Sequence, residues 1–99
     1  MTVTELAAKY QAGLTPNEII LDVRTTQEFL DKHIPGSINI PVDEVMDRVD
    51  EVQTKTVYCV CLSGSRSQIA TLLLGTRGVT VHQVDGGLKA WVAEGYETE

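Results

Sequence analysis

The stretch VYCVCLSGSRSQIATLLL, residues 57–74, decides the fold of this chain. It begins as an apolar, β-branched run, which is typical of a buried strand, and ends in a pattern with helical spacing. Between the two, Cys61 opens a short loop of small residues that leads to Arg66. A strand that passes straight into a helix is the repeating unit of a parallel α/β sheet. The stretch therefore predicts a fold class and singles out the junction at the cysteine.

The same alternation runs through the rest of the chain. Apolar runs predict four strands, which cover residues 18–23, 37–40, 55–60 and 79–85. Two capping boxes and helical spacing predict five helices, which begin after Thr2 and Thr25 and cover residues 42–52, 67–78 and 88–95. We expect one α/β domain over residues 1–99, with a mostly parallel sheet and helices on both faces. In the helix over residues 67–78, the apolar positions are Ile69, Leu72 and Leu73.

Composition excludes several classes of function. Eight Lys and Arg residues stand against fourteen Asp and Glu residues, so the net charge is −6. A protein of that sign repels phosphate backbones and anionic lipid, and we expect no nucleic-acid partner. No apolar run approaches the ~20 residues that span a bilayer, and no secretory leader is recognisable, so we expect a cytoplasmic protein without a membrane partner. We expect a monomer or a weak dimer.

The two cysteines, Cys59 and Cys61, allow three interpretations. A disulfide between strand residues i and i+2 would be strained, because their Cα atoms lie ~6.6–7 Å apart. Metal binding would need further ligands, and neither histidine stands at a spacing typical of zinc sites, so we predict no metal. We therefore favour the third interpretation, in which one thiol is reactive and the other is buried.

The loop at Cys61 is suited to hold a thiolate. In a parallel α/β sheet, ligands bind at the carboxyl ends of the strands, and Cys61 follows such an end. Gly64 permits a tight turn that aims several backbone N–H groups at one point, and the next helix adds its N-terminus. We therefore predict that Cys61 is a nucleophilic thiolate. The predicted binding loop consists of Leu62, Ser63, Gly64, Ser65, Arg66 and Ser67.

Several chemistries use such a thiolate. Acyl transfer needs a histidine base, and neither His33, beside a Pro-Gly turn, nor His82, in a strand, has that character. Phosphoryl transfer and sulfur transfer need no such base. The spacing from Cys61 to Arg66 is one residue shorter than the C-x5-R loop of cysteine phosphatases, which favours a persulfide over a tetrahedral phosphate. A phosphatase or arsenate reductase and a non-catalytic binding module remain as alternatives.

Three segments together resemble the single-domain rhodanese-like sulfurtransferases. YCVCLSGSRS, at residues 58–67, resembles the active-site loop of that family. ILDVRTTQEFLDKHIPGSINIP, at residues 20–41, resembles its upstream signature, and VDGGLKAWVAEGY, at residues 84–96, resembles its closing segment. The resemblance implies a three-layer rhodanese-like fold in which a parallel sheet of about five short strands lies between helices.

The resemblance also implies a two-step reaction without a cofactor. A donor such as thiosulfate passes a sulfur atom to Cys61, and the persulfide passes it to cyanide or to a thiol. Leu62 stands where many relatives carry arginine, so a low-molecular-weight persulfide or a partner sulfur-carrier protein is an alternative donor. Five residues are assigned supporting roles. They are Asp22 and Arg24 as an ion pair, His33 at a turn, and Gly86 and Gly87 where backbones approach closely.

Overall fold

The computed structural model describes all 99 residues and confirms an α/β fold with helices on both faces of a parallel sheet. The α-helices are α1 (Val3–Ala12), α2 (Thr26–Asp31), α3 (Ser65–Thr76) and α4 (Gly87–Ala93). The strands are β1 (Glu18–Asp22), β2 (Ile38–Asn39), β3 (Thr56–Val60) and β4 (Thr80–Gln83). Both predicted capping boxes are present, at the start of α1 and at the start of α2.

The sheet has four strands in the order β2-β1-β3-β4, all parallel. The expected number of about five was too high. Beyond β4, Met1 donates to the carbonyl oxygen of Gln83 over 2.8 Å and accepts from the N–H of Asp85 over 2.7 Å. These bonds come from one residue, and one residue is too short to form a strand.

The alternation of side chains along β3 divides the core into two clusters. Val57, Cys59 and Cys61 face the cluster that α3 covers, whereas Tyr58 and Val60 face the cluster under α1 and α4. Both faces of the two central strands are therefore buried, as in other parallel sheets with helices on each side. Both cysteines lie on the α3 side of the sheet.

The prediction of one α-helix over residues 42–52 was wrong. The structure has two short 3-10 helices here, Val42–Glu44 and Val49–Glu51, joined by turns. Val45, Val49 and Val52 are buried, so their apolar spacing marked the inward face of this segment. Valine and aspartate dominate the segment, and both are poor formers of a continuous α-helix.

Helix α3 also differs from its prediction. It begins at Ser65, two residues earlier than expected, and it buries Ser67, Ala70 and Leu74. The apolar residues Ile69 and Leu72 face solvent instead. Small residues on the inner face let α3 lie close to the sheet. No helix of the protein has both the length and the apolar character that crossing a bilayer requires.

Candidate active site

Cys61 stands at the carboxyl end of the sheet, where the fold brings two central strands together. It directly follows β3, whose last residue, Val60, is in register with Asp22 at the end of β1. Only three residues, 62–64, separate Cys61 from the first turn of α3. In parallel α/β proteins this edge is where ligands bind.

The sulfur of Cys61 is buried and hydrogen-bonded at the same time. The residue is 1% exposed and belongs to the apolar cluster under α3. Nevertheless the N–H of Gly64 donates to Sγ over 3.1 Å, and Oγ of Ser67 lies 3.4 Å from it. From the sequence, a buried Cys61 and a Cys61 surrounded by polar donors were alternatives. In the structure Cys61 is buried and also has polar donors around its sulfur.

The polar contacts decide the acidity of this thiol. Burial raises the pKa of Cys61. Hydrogen bonds from the side chain and N–H of Ser67, and from the N–H groups of Gly64 and Arg66, lower this pKa by more than burial raises it. The net pKa is therefore below the ordinary value of 9.0. Cys59, two residues earlier on the same face, has no such ring, and burial raises its pKa to about 12. The two thiols therefore differ, since the polar contacts of the loop lower the pKa of Cys61 and burial raises the pKa of Cys59.

Helix α4 holds the carbonyl groups of the loop away from the sulfur. The N–H of Leu88 donates to the carbonyl oxygen of Cys61 over 2.8 Å, and the N–H of Lys89 donates to that of Leu62 over 3.0 Å. In a trans peptide the C=O and the following N–H point in opposite directions. The N–H groups of Leu62 and Ser63 therefore point away from α4. This arrangement makes the loop a concave set of N–H donors.

Gly86 and Gly87 permit this contact. Gly86 is the N-cap of α4 with φ of 77°, and a Cβ atom there would lie 2.6 Å from Cβ of Ala90. A Cβ atom on Gly87 would overlap the carbonyl oxygen of Cys61 and lie 2.7 Å from that of Leu62. The expected close backbone approach is therefore, at Gly87, an approach to the cysteine loop itself, whereas the close neighbour of Gly86 is Ala90 on α4.

Gln83, which sequence analysis missed, fixes the turn at Gly64, the residue whose N–H faces the sulfur. Its Nε2 donates to the carbonyl oxygen of Gly64 over 2.9 Å, and the hydroxyl of Ser67 donates to the same oxygen over 3.0 Å. Gly64 has φ of 127°, which only glycine adopts easily. No motif contains Gln83. The only signal was its place at the end of a predicted strand, the edge where sites form.

We expect Gln83→Leu to raise the pKa of Cys61, because the carbonyl oxygen of Gly64 loses one of its two donors and the turn that presents the N–H of Gly64 to the sulfur is held less firmly. The pH dependence of the rate of Cys61 alkylation measures this shift. Gln53→Leu is the matched control, since Gln53 donates to the carbonyl oxygen of Arg77 over 2.8 Å at the far end of α3. Equal midpoints for the two variants would contradict the role given to Gln83.

Arg66 lies on the first turn of α3, and its guanidinium group is already paired. Nη1 and Nη2 of Arg66 donate to the two carboxylate oxygens of Glu28 on α2, over 2.6 Å and 3.0 Å. The pKa of Arg66 is raised, first by Glu28 and to a smaller extent by the charge on Cys61. Glu28, which the sequence placed in the capping box of Thr25 and in the upstream signature, is therefore the residue that holds this cation.

Glu28 connects α2 to the site through several bonds. It also closes the capping box of Thr25. Its pKa is lowered to about 2 from 4.5, first by Arg66 and also by Thr25. The ionised carboxylate therefore stabilises the fold above pH 4.5, and this contribution is lost as the pH falls toward about 2.

We expect Glu28→Gln to lower the free energy of unfolding at pH 7 by about 1 kcal/mol, because a bidentate ion pair is lost. The difference from the unsubstituted protein should shrink between pH 4.5 and about 2, where Glu28 becomes protonated. Urea titrations at pH 7, 4.5 and about 2 measure it. Glu94→Gln is the control, since Glu94 is exposed and forms no ion pair. A difference that does not change with pH would contradict the assignment.

The remaining predicted residues surround the loop. Ser63 and Ser65 are exposed at its mouth, and Leu62 is 43% exposed. Arg24 and Asp22 form a buried ion pair, with Nη2 of Arg24 2.8 Å from Oδ2 of Asp22. The same guanidinium group donates to the carbonyl oxygen of Lys32 over 2.5 Å and so ties β1 to the segment before the turn.

His33 is held by structural contacts. Its Nδ1 lies 2.7 Å from the carbonyl oxygen of Phe29, and its ring stacks on the ring of Phe29 at 3.9 Å. Its backbone exchanges two hydrogen bonds with Glu99. Asn39, which sequence analysis did not select, donates to the carbonyl oxygens of Asp22 and Arg24 at the end of β1. No group of three or more His, Cys, Asp or Glu side chains is arranged to hold a metal ion.

The chain is similar to a known family of sequences over nearly its whole length. The sequence profile of the rhodanese-like domain matches residues 2–94. The chain belongs to the rhodanese-like domain family. A solved rhodanese-related protein from Thermoplasma volcanium superposes on this rhodanese-like domain with a TM-score of 0.89 and 28% identity, and the match covers 100% of this chain and 95% of that one.

Curated relatives differ in length. The thiosulfate sulfurtransferase GlpE of Pseudomonas syringae is 35% identical over 83 residues, which cover 82% of this chain and 78% of GlpE. The adenylyltransferase and sulfurtransferase UBA4 of Meyerozyma guilliermondii is 33% identical over 95 residues, which cover 86% of this chain. This rhodanese-like domain spans only 22% of UBA4, and 42% of the putative sulfur carrier protein YrkF of Bacillus subtilis.

Proposed function

We propose that this rhodanese-like domain is a sulfurtransferase that carries a sulfane sulfur as a persulfide on Cys61. The observation that carries the proposal is the bond from the N–H of Gly64 to the sulfur, in a loop whose first two carbonyl groups, those of Cys61 and Leu62, bond to α4. The same donors that favour a thiolate also favour the outer sulfur of a persulfide anion. The names of GlpE and YrkF support transfer of sulfur as the activity.

The reaction proceeds in two displacements. The Cys61 thiolate attacks the outer sulfur of the donor, the sulfur–sulfur bond of the donor breaks, and the remainder leaves with the bonding pair. With thiosulfate, the leaving group is sulfite. A thiolate or cyanide then attacks the outer sulfur of the persulfide, and Cys61 leaves as a thiolate. Each step exchanges one bond for another, so no cofactor or external oxidant enters.

The surroundings of Cys61 favour a donor that makes apolar or protein contacts over the small dianion thiosulfate. Leu62 places an apolar side chain at the loop, and the cation of Arg66 is neutralised by Glu28. The net charge of −6 further repels thiosulfate. We therefore propose that the preferred donor is a persulfide, either of a small thiol such as glutathione or of a partner protein.

The donor reaches Cys61 only after a local movement of the loop. The residue is 1% exposed, so its sulfur has almost no contact with solvent. Residues 62–64 form the short loop between Cys61 and α3, and Leu62 and Ser63 in this loop are exposed. Opening of this segment, followed by closure over the persulfide, would protect the outer sulfur from water.

The alternative of a cysteine phosphatase or arsenate reductase is less well supported. Such enzymes hold a tetrahedral oxyanion, which needs a wide loop and a free cation. Here α3 begins at Ser65, and the guanidinium group of Arg66 is bound to Glu28. A binding module without catalysis would have no use for a thiol of lowered pKa.

Intact-mass measurement after incubation with glutathione persulfide, thiosulfate or an aryl phosphate tests the proposal. We expect the mass of one added sulfur atom with glutathione persulfide, less of this adduct with thiosulfate, and no adduct with the phosphate. Cyanide should remove the added mass and release thiocyanate. Fragmentation should place the sulfur on Cys61. A phosphate adduct, or no adduct with either sulfur donor, would contradict the proposal.

A further inference from the structure

Helix α3 carries an apolar stripe on the side that faces away from the protein. Ile69 is 52% exposed and Leu72 is 67% exposed, although both are large aliphatic residues. Leu73 is half-buried beside them. We call these three residues the α3 outer stripe. Ile69 and Leu72 point away from the inner face of α3, which is formed by Ser67, Ala70 and Leu74, and each of the two is more than half exposed.

The α3 outer stripe begins at the candidate active site. Residues three and four apart lie on one line along a helix, so Arg66, Ile69 and Leu73 follow one another on the surface. Arg66 is on the first turn of α3, where the N–H groups and Ser67 contact the sulfur of Cys61. Leu62, 43% exposed on the loop before α3, adds apolar surface beside the cysteine.

The charges around the stripe are distributed unevenly. No Asp or Glu lies between Gln53 and Val84, so α3 has no carboxylate of its own. However, α3 packs against Val42–Glu44, the start of a strongly acidic segment. In that segment Arg48 pairs with Glu44 and Glu51. Three further exposed carboxylates form no ion pair there, namely Asp43, Asp47 and Asp50.

The exposed apolar area of the α3 outer stripe indicates which kind of partner could bind there. Its side chains expose roughly 200–300 Å² of apolar surface, near the lower limit of functional patches. A stable homodimer buries about 800 Å² per partner, and two copies of charge −6 repel each other. A second copy is therefore a poor occupant. A small apolar contact on a protein of net charge −6, on a helix that packs against an acidic segment, fits a transient partner that has basic residues around its own apolar contact.

We propose that the α3 outer stripe docks a basic partner protein whose cysteine exchanges sulfur with Cys61. This inference rests on the proposed function. In the forward direction, a partner thiolate attacks the outer sulfur of the Cys61 persulfide. The sulfur–sulfur bond breaks, Cys61 leaves as a thiolate, and the partner becomes the persulfide. Docking next to the loop increases the local concentration of the partner thiol at the outer sulfur.

Two designed peptides test the surface without a known partner. Both are amphipathic helices with a leucine face and one cysteine at its edge, and they differ in having lysine or glutamate at the polar positions. The protein is first loaded with sulfur from glutathione persulfide. Second-order rates of sulfur transfer are then measured to each peptide and to free cysteine, at low and at high salt.

We expect the lysine peptide to react about tenfold faster than the glutamate peptide, and salt to reduce the difference. The double variant Ile69→Gln/Leu72→Gln should remove about tenfold from the rate with the lysine peptide and leave the rate with free cysteine unchanged. Val92→Gln is the matched control, because Val92 is 41% exposed on α4. It should change neither rate. Melting curves verify that the variants are folded.

Three outcomes would overturn the inference. The double variant could leave the preference for the lysine peptide intact, Val92→Gln could abolish it equally, or sedimentation could show a dimer that only the double variant breaks. The last outcome would identify a second copy as the occupant. Failure of the protein to accept sulfur from glutathione persulfide would instead reject the proposed function, so the two failures are distinguishable.

Discussion

Cys61→Ser is expected to lower the rate of sulfur transfer by at least about a thousandfold, because a serine oxygen cannot carry a persulfide. The fold should survive, since serine is close to cysteine in size and has Ser67 and the N–H of Gly64 as hydrogen-bond partners. Thiocyanate production from a persulfide donor and cyanide measures the rate. Melting curves recorded on the same samples show whether the loss is one of chemistry or of folding.

Cys59→Ala is the matched control for this loss. Cys59 is buried on the same face of β3, and its pKa is raised to about 12 by burial. We expect a rate within about twofold of the unsubstituted protein and a loss of stability of about 1 kcal/mol from the small cavity. A large loss of transfer in Cys59→Ala, or full transfer in Cys61→Ser, would mean that the wrong sulfur has been assigned.

Gly87→Ala is expected to be the most damaging of the glycine substitutions. The new Cβ atom would overlap the carbonyl oxygen of Cys61 and would lie 2.7 Å from that of Leu62, and both are backbone atoms that cannot move aside alone. The N-terminus of α4 would have to shift, which breaks the bonds from Leu88 and Lys89 to the loop. We expect about 2–5 kcal/mol of lost stability. Urea unfolding measures it.

Gly95→Ala separates this contact from the cost of the backbone angle. Gly95 has φ of +80° and no atom within 4 Å of an added Cβ, whereas Gly87 has φ of +58°. Both variants suffer the strain of a left-handed conformation, which costs about 1–2 kcal/mol. Only Gly87→Ala should add a steric cost and also slow sulfur transfer. Equal losses of stability in the two variants would show that the contact between α4 and the loop has little energetic weight.

Local patterns were sufficient for most of the fold. The capping boxes at Thr2 and Thr25 predicted where two helices begin, because their hydrogen bonds are made within four residues. The β-branched runs predicted the strands, including β3 with its cysteine. The predictions failed where packing decides. Residues 42–52 have helical spacing, yet form two 3-10 helices joined by turns, and Val45, Val49 and Val52 are buried in the cluster under α3.

The face of α3 could not be predicted from hydrophobicity. Ile69 and Leu72 have the spacing of a buried face, but the structure buries Ser67 and Ala70 instead. The reason is that Ser67 must reach the sulfur of Cys61 and the carbonyl oxygen of Gly64, which turns that side of the helix inward. A polar requirement at the first turn therefore determined which residues the whole helix exposes.

The sequence by itself determined which sulfur stands at the strand-to-helix junction, since that depends only on neighbours along the chain. The tertiary structure alone decided what surrounds it. Gln83, Glu28 and Gly87 are distant from Cys61 in sequence, and they meet its loop only because parallel strands align their carboxyl ends. Such contacts leave no periodic pattern, because each depends on a single side chain at the end of an element.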